Sequence, residues 1–178
     1  IHDLWLKVLV IEAHDGHRGV IVSTDTLGIP QSIYNNVCAA LKKKFDLDRS
    51  QIMLNASHTH CGPVLRGALH DIYPLNKEQI AQVNKYSTQL EQKLVDAVTT
   101  AIKNLEPASL WTGEGHTSFA VNRRNNMEAD VPKLRKEGKL TGPIDHSVPI
   151  LAVKDKNGKL KTIVFGYACH NTTLGIQQ

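Results

Sequence analysis

The chain has 178 residues, of which 41% are hydrophobic and 21% are charged, and its formal net charge is +4. This composition is typical of a globular protein and excludes the collagen-like, disordered and coiled-coil classes. No apolar run approaches the roughly 20 residues of a membrane-spanning helix, and the small positive charge gives no support to nucleic-acid binding.

The first part of the sequence predicts two strands and a helix. Leu4–Ala13 and Gly19–Thr24 are apolar runs on either side of a short turn that contains glycine, a pattern typical of a β-hairpin. Pro30 precedes a predicted helix over Gln31–Phe45, in which apolar residues recur every four positions. The lysines of its last turn, Lys42–Lys44, are favoured there by the helix dipole, so we interpret them as a solvated helix end.

The middle of the sequence predicts a short strand and a long helix. Ile52–Ser57 has the apolar character of a buried strand, and the Gly62-Pro63 pair ends regular structure after it. Asn76 is a suitable N-cap for a helix that continues to about Leu105. Apolar residues recur on one face of this helix, at Ile80, Val83, Leu90, Leu94, Val98 and Ile102.

The last part of the sequence predicts three strands and a long polar loop. Leu110–Thr117 predicts the first strand, and the polar segment Asn122–Pro143 predicts a loop with a short helix near Val131–Glu137. Loops of this length in compact domains are often functional. An Asn-Gly pair between two apolar runs predicts a second hairpin, whose strands are Pro149–Lys154 and Leu160–Tyr167.

This order of elements predicts an α/β fold. The expected architecture is a layered domain with a mixed β-sheet and flanking helices. Two hairpins are inconsistent with a strictly parallel sheet.

His58 and His60 are the first candidates for chemistry. They lie two positions apart after the strand Ile52–Ser57, and in an extended conformation both imidazoles face the same cleft. Imidazole is a common zinc ligand, and a catalytic zinc typically has three protein ligands and a water. The alternative is a pair of histidines exposed on a loop, although α/β sheets place their sites at strand ends.

His170 repeats this arrangement after the last predicted strand. Two strand ends in one sheet can bring His170 close to His58, although a single histidine hydrogen-bonded in a loop is the simpler interpretation of this residue alone. Cys61 and Cys169 each adjoin a candidate histidine. Strand alternation turns Cys61 away from the face that carries His58 and His60, and we interpret both cysteines as small buried residues rather than ligands.

Two other polar residues are weaker candidates. Arg123, in the polar loop, can bind a carboxylate or polarise a carbonyl, but it also fits a solvated loop. Asp25, at the end of the second predicted strand, is suited either to orient a histidine or to cap the turn before Pro30.

Four segments, in order, resemble blocks of the neutral/alkaline (non-lysosomal) ceramidase family. They are Asn55–Pro63 (NASHTHCGP), Val121–Arg124 (VNRR), Asp145–Leu151 (DHSVPIL) and Gly166–Thr173 (GYACHNTT). The resemblance spans almost the whole chain, and four ordered motifs are far more specific than one. The family's catalytic domain is considerably longer, and the chain begins without methionine. We therefore expect residues 1–178 to be a single domain that forms the N-terminal portion of a longer catalytic domain.

The resemblance implies a zinc-dependent amidase that cleaves the N-acyl bond of ceramide to sphingosine and a fatty acid. It makes His58 and His170 zinc ligands, and it makes His60 and Arg123 residues that act on the substrate and the developing oxyanion. The remaining ligands of the family, a Glu and a Tyr, are expected beyond Gln178.

The resemblance also implies partners and a location. The partner is ceramide or a related N-acyl lipid, for which a membrane surface is a compatible location, and no nucleic-acid partner is expected. The location implied by the family is secreted or membrane-associated, outside the cytoplasm.

Two alternatives stay open at this point. One is a zinc amidohydrolase of another substrate, because Cys61, Arg124 and residues 171–173 differ from those usual in the family. A TIM-barrel amidohydrolase also uses a His-x-His pair, but it requires regular strand–helix alternation. The other alternative is a non-catalytic lipid- or protein-binding module on the same fold, which an absence of zinc in the longer protein would indicate.

Overall fold

A computed structural model of the chain describes residues 2–69 and 72–170. Two compact units are present, one that ends at Leu105 and one that spans Glu106–His170. The elements follow the predicted order and are β1 (Leu6–Glu12), β2 (Arg18–Thr24), α1 (Gln31–Phe45), β3 (Ile52–Ala56), α2 (Lys77–Lys103), β4 (Ala108–His116), α3 (Val131–Lys136), β5 (Ser147–Asp155) and β6 (Leu160–Phe165). The α/β class is confirmed, while the expectation of a single domain stays a prediction.

The first unit is built on a mixed three-stranded sheet. β1 and β2 form the predicted antiparallel hairpin, and β3 pairs with β2 in parallel. The parallel register places Thr24 opposite Ala56, so β2 and β3 end at the same edge of the sheet. The segments that follow these two strands are therefore neighbours.

Apolar stripes on α1 and α2 form the core of this unit with the sheet. Ile33, Val37 and Leu41 recur along α1 and are fully buried, as are Leu94 and Val98 on α2. Burial of such side chains, each contributing about 1.5–3 kcal/mol, holds the helices in place. Among the described residues, no helix is both long enough and apolar enough to cross a membrane.

Asn76 caps α2 as predicted. Its side-chain oxygen accepts a hydrogen bond from the backbone N–H of Gln79 at 2.9 Å, and the Gln79 side chain accepts one from the N–H of Asn76, also at 2.9 Å. This reciprocal pair satisfies two amides at the helix N-terminus that have no partner within the helix. The first residue of α2 is thereby fixed.

The second unit is an antiparallel sheet in the order β4-β5-β6. The predicted Asn-Gly hairpin joins β5 to β6, and Gly158 has the positive φ of 78° that the turn requires. Because β3 and β6 belong to separate sheets, the expectation that one sheet brings His58 and His170 together is wrong.

Candidate functional site

The histidine pair follows β3 at the edge where β2 also ends. The parallel pairing continues past the strands, because the N–H of Ser57 donates to the carbonyl of Thr24 at 2.9 Å and that of Thr59 donates to Thr26 at 3.0 Å. These bonds hold the segment that carries the histidines against the residues after β2.

His58 departs from the extended conformation that the spacing argument assumed. Its φ is 58°, in the left-handed region that residues other than glycine seldom adopt. The Nδ1 atom of its ring lies 2.7 Å from the carbonyl oxygen of Leu27. Since a carbonyl oxygen only accepts, Nδ1 carries the hydrogen, and in the neutral ring Nε2 is then the nitrogen with a lone pair for a ligand.

His60 lies beside His58, as predicted, but by a different route. The two ring centroids are 4.8 Å apart in an edge-to-face arrangement with an interplanar angle of 85°, and the ring nitrogens lie within 4.8 Å of each other. The left-handed residue, rather than strand alternation, brings the rings together.

Asp25 supports the residue before the histidine. One of its carboxylate oxygens accepts a hydrogen bond from the Ser57 hydroxyl at 3.0 Å, and the other accepts one from the backbone N–H of Trp5 at 2.9 Å. The Ser57 hydroxyl also lies 2.8 Å from the hydroxyl of Thr59. Asp25 therefore helps to fix the backbone on which His58 is mounted.

Arg123 lies in the second unit, in a turn that Asn122 shapes. The side-chain oxygen of Asn122 accepts hydrogen bonds from the N–H groups of Arg124 at 3.0 Å and Asn125 at 3.1 Å. The guanidinium of Arg123 donates to the carboxylate of Glu128 at 2.8 Å. Both side chains are largely exposed, so this ion pair contributes little to stability and an anion can replace Glu128 at low cost.

Tyr167, within the fourth motif, ties the segment after β4 to the residues after β6. Its hydroxyl donates to the carbonyl of Thr117 and accepts from the N–H of Ala120, both at 3.1 Å. The guanidinium of Arg135 also donates to this segment, at the carbonyls of Ser118 and Phe119. The backbone leading to Arg123 is therefore held by two side chains.

Asn126, which the sequence did not single out, closes the polar loop. It is 2% exposed, and its amide donates to the carbonyls of Asn122 at 2.8 Å and Thr141 at 2.7 Å while its oxygen accepts from the N–H of Thr141 at 3.1 Å. Gly142 has a φ of 90°, and a Cβ there would lie 2.6 Å from the side-chain oxygen of Asn125. The loop thus requires asparagine at one position and glycine at the other.

We expect Asn126→Ala to destabilise the protein by about 1–3 kcal/mol, because it removes a buried side chain that makes three hydrogen bonds to the backbone of Asn122 and Thr141. Chemical denaturation of the variant and of the unmodified protein measures this difference. Asn157→Ala, at an exposed position in the β5–β6 turn, is the matched control and should change stability by less than about 0.5 kcal/mol. Equal midpoints for all three proteins would contradict this role of Asn126.

His170 is the last described residue of the second unit, and residues 171–173 of its motif lie outside the described part of the chain. The interpretation of the two neighbouring cysteines as buried is wrong, since Cys61 is exposed and Cys169 is half-buried. Strand alternation does not apply to Cys61, because the extended conformation ends before it. The sharing of one ion by His58 and His170 stays a prediction.

Comparisons with known proteins agree on one family. The family model described as neutral/alkaline non-lysosomal ceramidase, N-terminal, matches residues 2–178. A neutral ceramidase of Pseudomonas aeruginosa is 30% identical over 173 residues, which are 96% of this chain and 25% of the relative. Neutral ceramidase B of Dictyostelium discoideum is 24% identical over 173 residues, which are 94% of this chain and 23% of the relative.

Solved structures give the same result. A structure of a ceramidase complexed with C2 superposes with a TM-score of 0.71 at 26% identity, over 96% of this chain and 26% of that one. The neutral ceramidase from Pseudomonas aeruginosa gives a TM-score of 0.70 at 25% identity, over 97% of this chain and 27% of that one. The chain therefore spans about a quarter of the length of the relatives it matches.

Proposed function

Because the chain belongs to the neutral/alkaline non-lysosomal ceramidase family, we propose that it contributes to a zinc-dependent amidase that cleaves the N-acyl bond of ceramide or a related N-acyl lipid. The observation that carries this proposal is the 2.7 Å hydrogen bond between Nδ1 of His58 and the carbonyl of Leu27. Histidines that bind metals typically donate their other ring N–H to such a carbonyl, which fixes the tautomer and the orientation of the ring.

The residues present fit a zinc ion. His58 offers Nε2 in a fixed orientation, and we propose that His170 is the second ligand and that the remaining ligands lie outside these 178 residues. When bound, zinc polarises a carbonyl and lowers the pKa of a coordinated water to about 7.

His60 and Arg123 perform the remaining chemistry in this proposal. An imidazole N–H of His60, positioned beside His58, donates a hydrogen bond to the carbonyl oxygen of the amide as negative charge develops there. The guanidinium of Arg123 supplies permanent positive charge for the same oxyanion and exchanges its exposed partner Glu128 for it. Donors fixed in advance stabilise the transition state because they do not reorganise during the reaction.

The experiment that tests the proposal combines a zinc assay with a panel of N-acyl amides, applied to a longer protein that contains this chain. Zinc at one ion per chain and hydrolysis of N-acyl sphingoid bases support it. Zinc without hydrolysis of these lipids indicates another amide substrate. Absence of both indicates a binding module. A secreted or membrane-associated location outside the cytoplasm belongs to the same proposal and is tested by fractionation.

We expect the isolated 178-residue chain to hydrolyse no N-acyl amide and to bind zinc weakly. Two histidines leave the ion short of the three protein ligands that a catalytic zinc typically has. Zinc stoichiometry after dialysis, measured beside amide hydrolysis for the isolated chain and the longer protein, checks this expectation. Full turnover by the isolated chain would show that the assignment of ligands is wrong.

A further inference from the structure

The first unit contains an apolar cavity beside the histidine pair. Its volume is about 220 Å³, and it lies between the segment after β2 and the segment before α2. Of the described residues that line it, His60 and Tyr73 alone carry polar side chains, and none carries a carboxylate, an ammonium or a guanidinium. The larger apolar side chains in the lining are those of Leu27, Ile29, Val64, Leu65 and Leu69.

Part of the cavity lining belongs to the hydrophobic core or packs against it. Leu65 is 3% exposed and belongs to the core, against which Ile29 and Ala68 also pack. Side chains held in a close-packed core do not collapse readily into a neighbouring space. The cavity is therefore a formed feature of this unit.

One wall of the cavity is anchored to α2 through Arg66. Its backbone N–H donates to the hydroxyl of Ser87 at 2.9 Å. Its guanidinium forms an ion pair with Glu91 and donates to the hydroxyl of Thr88 at 3.3 Å. Both charged side chains of this pair are mostly buried, so the loop that carries Val64 and Leu65 keeps its position relative to the helix.

The cavity is continuous with the proposed reaction site. Leu27 lines the cavity, and its carbonyl accepts the hydrogen bond from His58. His60 also lines the cavity. A substrate whose carbonyl oxygen contacts His60 thus has an apolar space next to its reacting group.

We propose that this cavity binds a hydrocarbon chain of the lipid substrate and determines its chain-length preference. The inference rests on the proposed amidase function. The cavity, at about 220 Å³, is below the roughly 300–1,000 Å³ of a pocket that encloses a drug-sized ligand. It therefore takes a segment of a chain rather than a whole long acyl chain, and charged or strongly polar substituents on that segment are excluded because the lining offers them few partners.

The test uses a longer protein that contains this chain, and two series of N-acyl amides. One series varies the acyl chain with the amine part constant, and the other varies the hydrocarbon tail of the amine part with the acyl chain constant. Val64→Phe places a ring in the cavity. If the ring excludes two or three methylenes at about fourfold each, kcat/KM for long chains falls about 15- to 60-fold relative to the shortest chain.

Val64→Ala enlarges the cavity and should shift the preference toward longer chains in the same series. This variant also decides the question if Val64→Phe does not fold. Ala81→Phe, which adds the same ring at an exposed position on α2, is the matched control and should leave both profiles unchanged.

The outcomes separate this inference from the proposed function. A changed profile in the acyl series or in the amine series supports the inference and identifies the chain that enters the cavity. Unchanged profiles in both series, or an equal loss for all chain lengths, overturn the inference and leave the amidase function standing. An unmodified protein that hydrolyses no member of either series overturns the function and the inference with it. Zinc content measured beside each profile shows that the metal site is intact.

Discussion

Replacing His58 with alanine in a longer protein that contains this chain should empty the metal site and abolish amide hydrolysis. The substitution removes a proposed ligand whose ring is oriented by the carbonyl of Leu27. Loss of a partner that merely orients a ligand typically costs 10- to 100-fold in metal affinity or activity, so loss of the ligand itself should cost more. Zinc stoichiometry and amide hydrolysis, measured on the same preparation, check both parts.

His17→Ala is the matched control for this prediction. His17 is exposed in the β1–β2 turn, and its replacement should leave zinc and activity unchanged. If His58→Ala retained one zinc per chain, His58 would not be a ligand. If both variants lost zinc equally, the loss would not be specific to the proposed site.

Replacing His60 with alanine should lower turnover without removing the ion. Zinc should stay nearly in place, because His60 is proposed to contact the substrate rather than the ion. The turnover number should fall by about 10²–10³-fold, the cost typical for loss of one oxyanion donor. The fall should appear in kcat, since the hydrogen bond strengthens as negative charge develops on the carbonyl oxygen.

The conservative variant His60→Gln tests whether the effect of His60 depends on a hydrogen-bond donor. Its amide N–H₂ keeps a hydrogen-bond donor at this position, so it should recover part of the turnover that His60→Ala loses. Loss of zinc from His60→Ala as complete as from His58→Ala would instead make both histidines ligands. The division of roles within the pair would then be wrong.

The helices were predictable because local chemistry determines where they begin and end. Pro30 precedes α1, whose observed range is the predicted Gln31–Phe45, and a buried stripe repeats every four residues. Asn76 and Gln79 form the capping box that begins α2. Each of these signals acts over four residues or fewer, so the sequence displays it directly.

The proximity of His58 and His60 was predictable from their spacing, but the geometry of the pair was not. The motif around His58 and His60 identified the pair. The left-handed φ of His58 and its bond to Leu27 could not be predicted. Every residue has a backbone carbonyl, so the residue types do not indicate which carbonyl accepts a hydrogen bond from the ring. The burial predicted for Cys61 was wrong for a different reason, since that prediction extended the alternation of β3 past the residue where the strand ends.

The polar loop shows a further limit of sequence reasoning. No local signal distinguishes Asn126 from the other polar residues of the loop, and two of its hydrogen bonds are with Thr141, which lies 15 positions away. Likewise, the separation of β1–β3 from β4–β6 into two sheets depends on pairings between strands far apart in the chain. Periodicity identifies strands, but it does not identify the neighbours of each strand.

The bond between Leu27 and His58 links ion binding to folding. The two residues are 31 positions apart and meet after β3 has paired with β2 across the α1 crossover, so an unfolded chain does not hold the ring in this orientation. An ion that uses Nε2 of His58 therefore binds the folded unit in preference to the unfolded one. At a free concentration 100 times its dissociation constant, such an ion raises the free energy of unfolding by about 2.7 kcal/mol. Under the proposed role of His58 as a metal ligand, the supply of the ion during synthesis influences how much folded protein accumulates, in addition to how much of it is active.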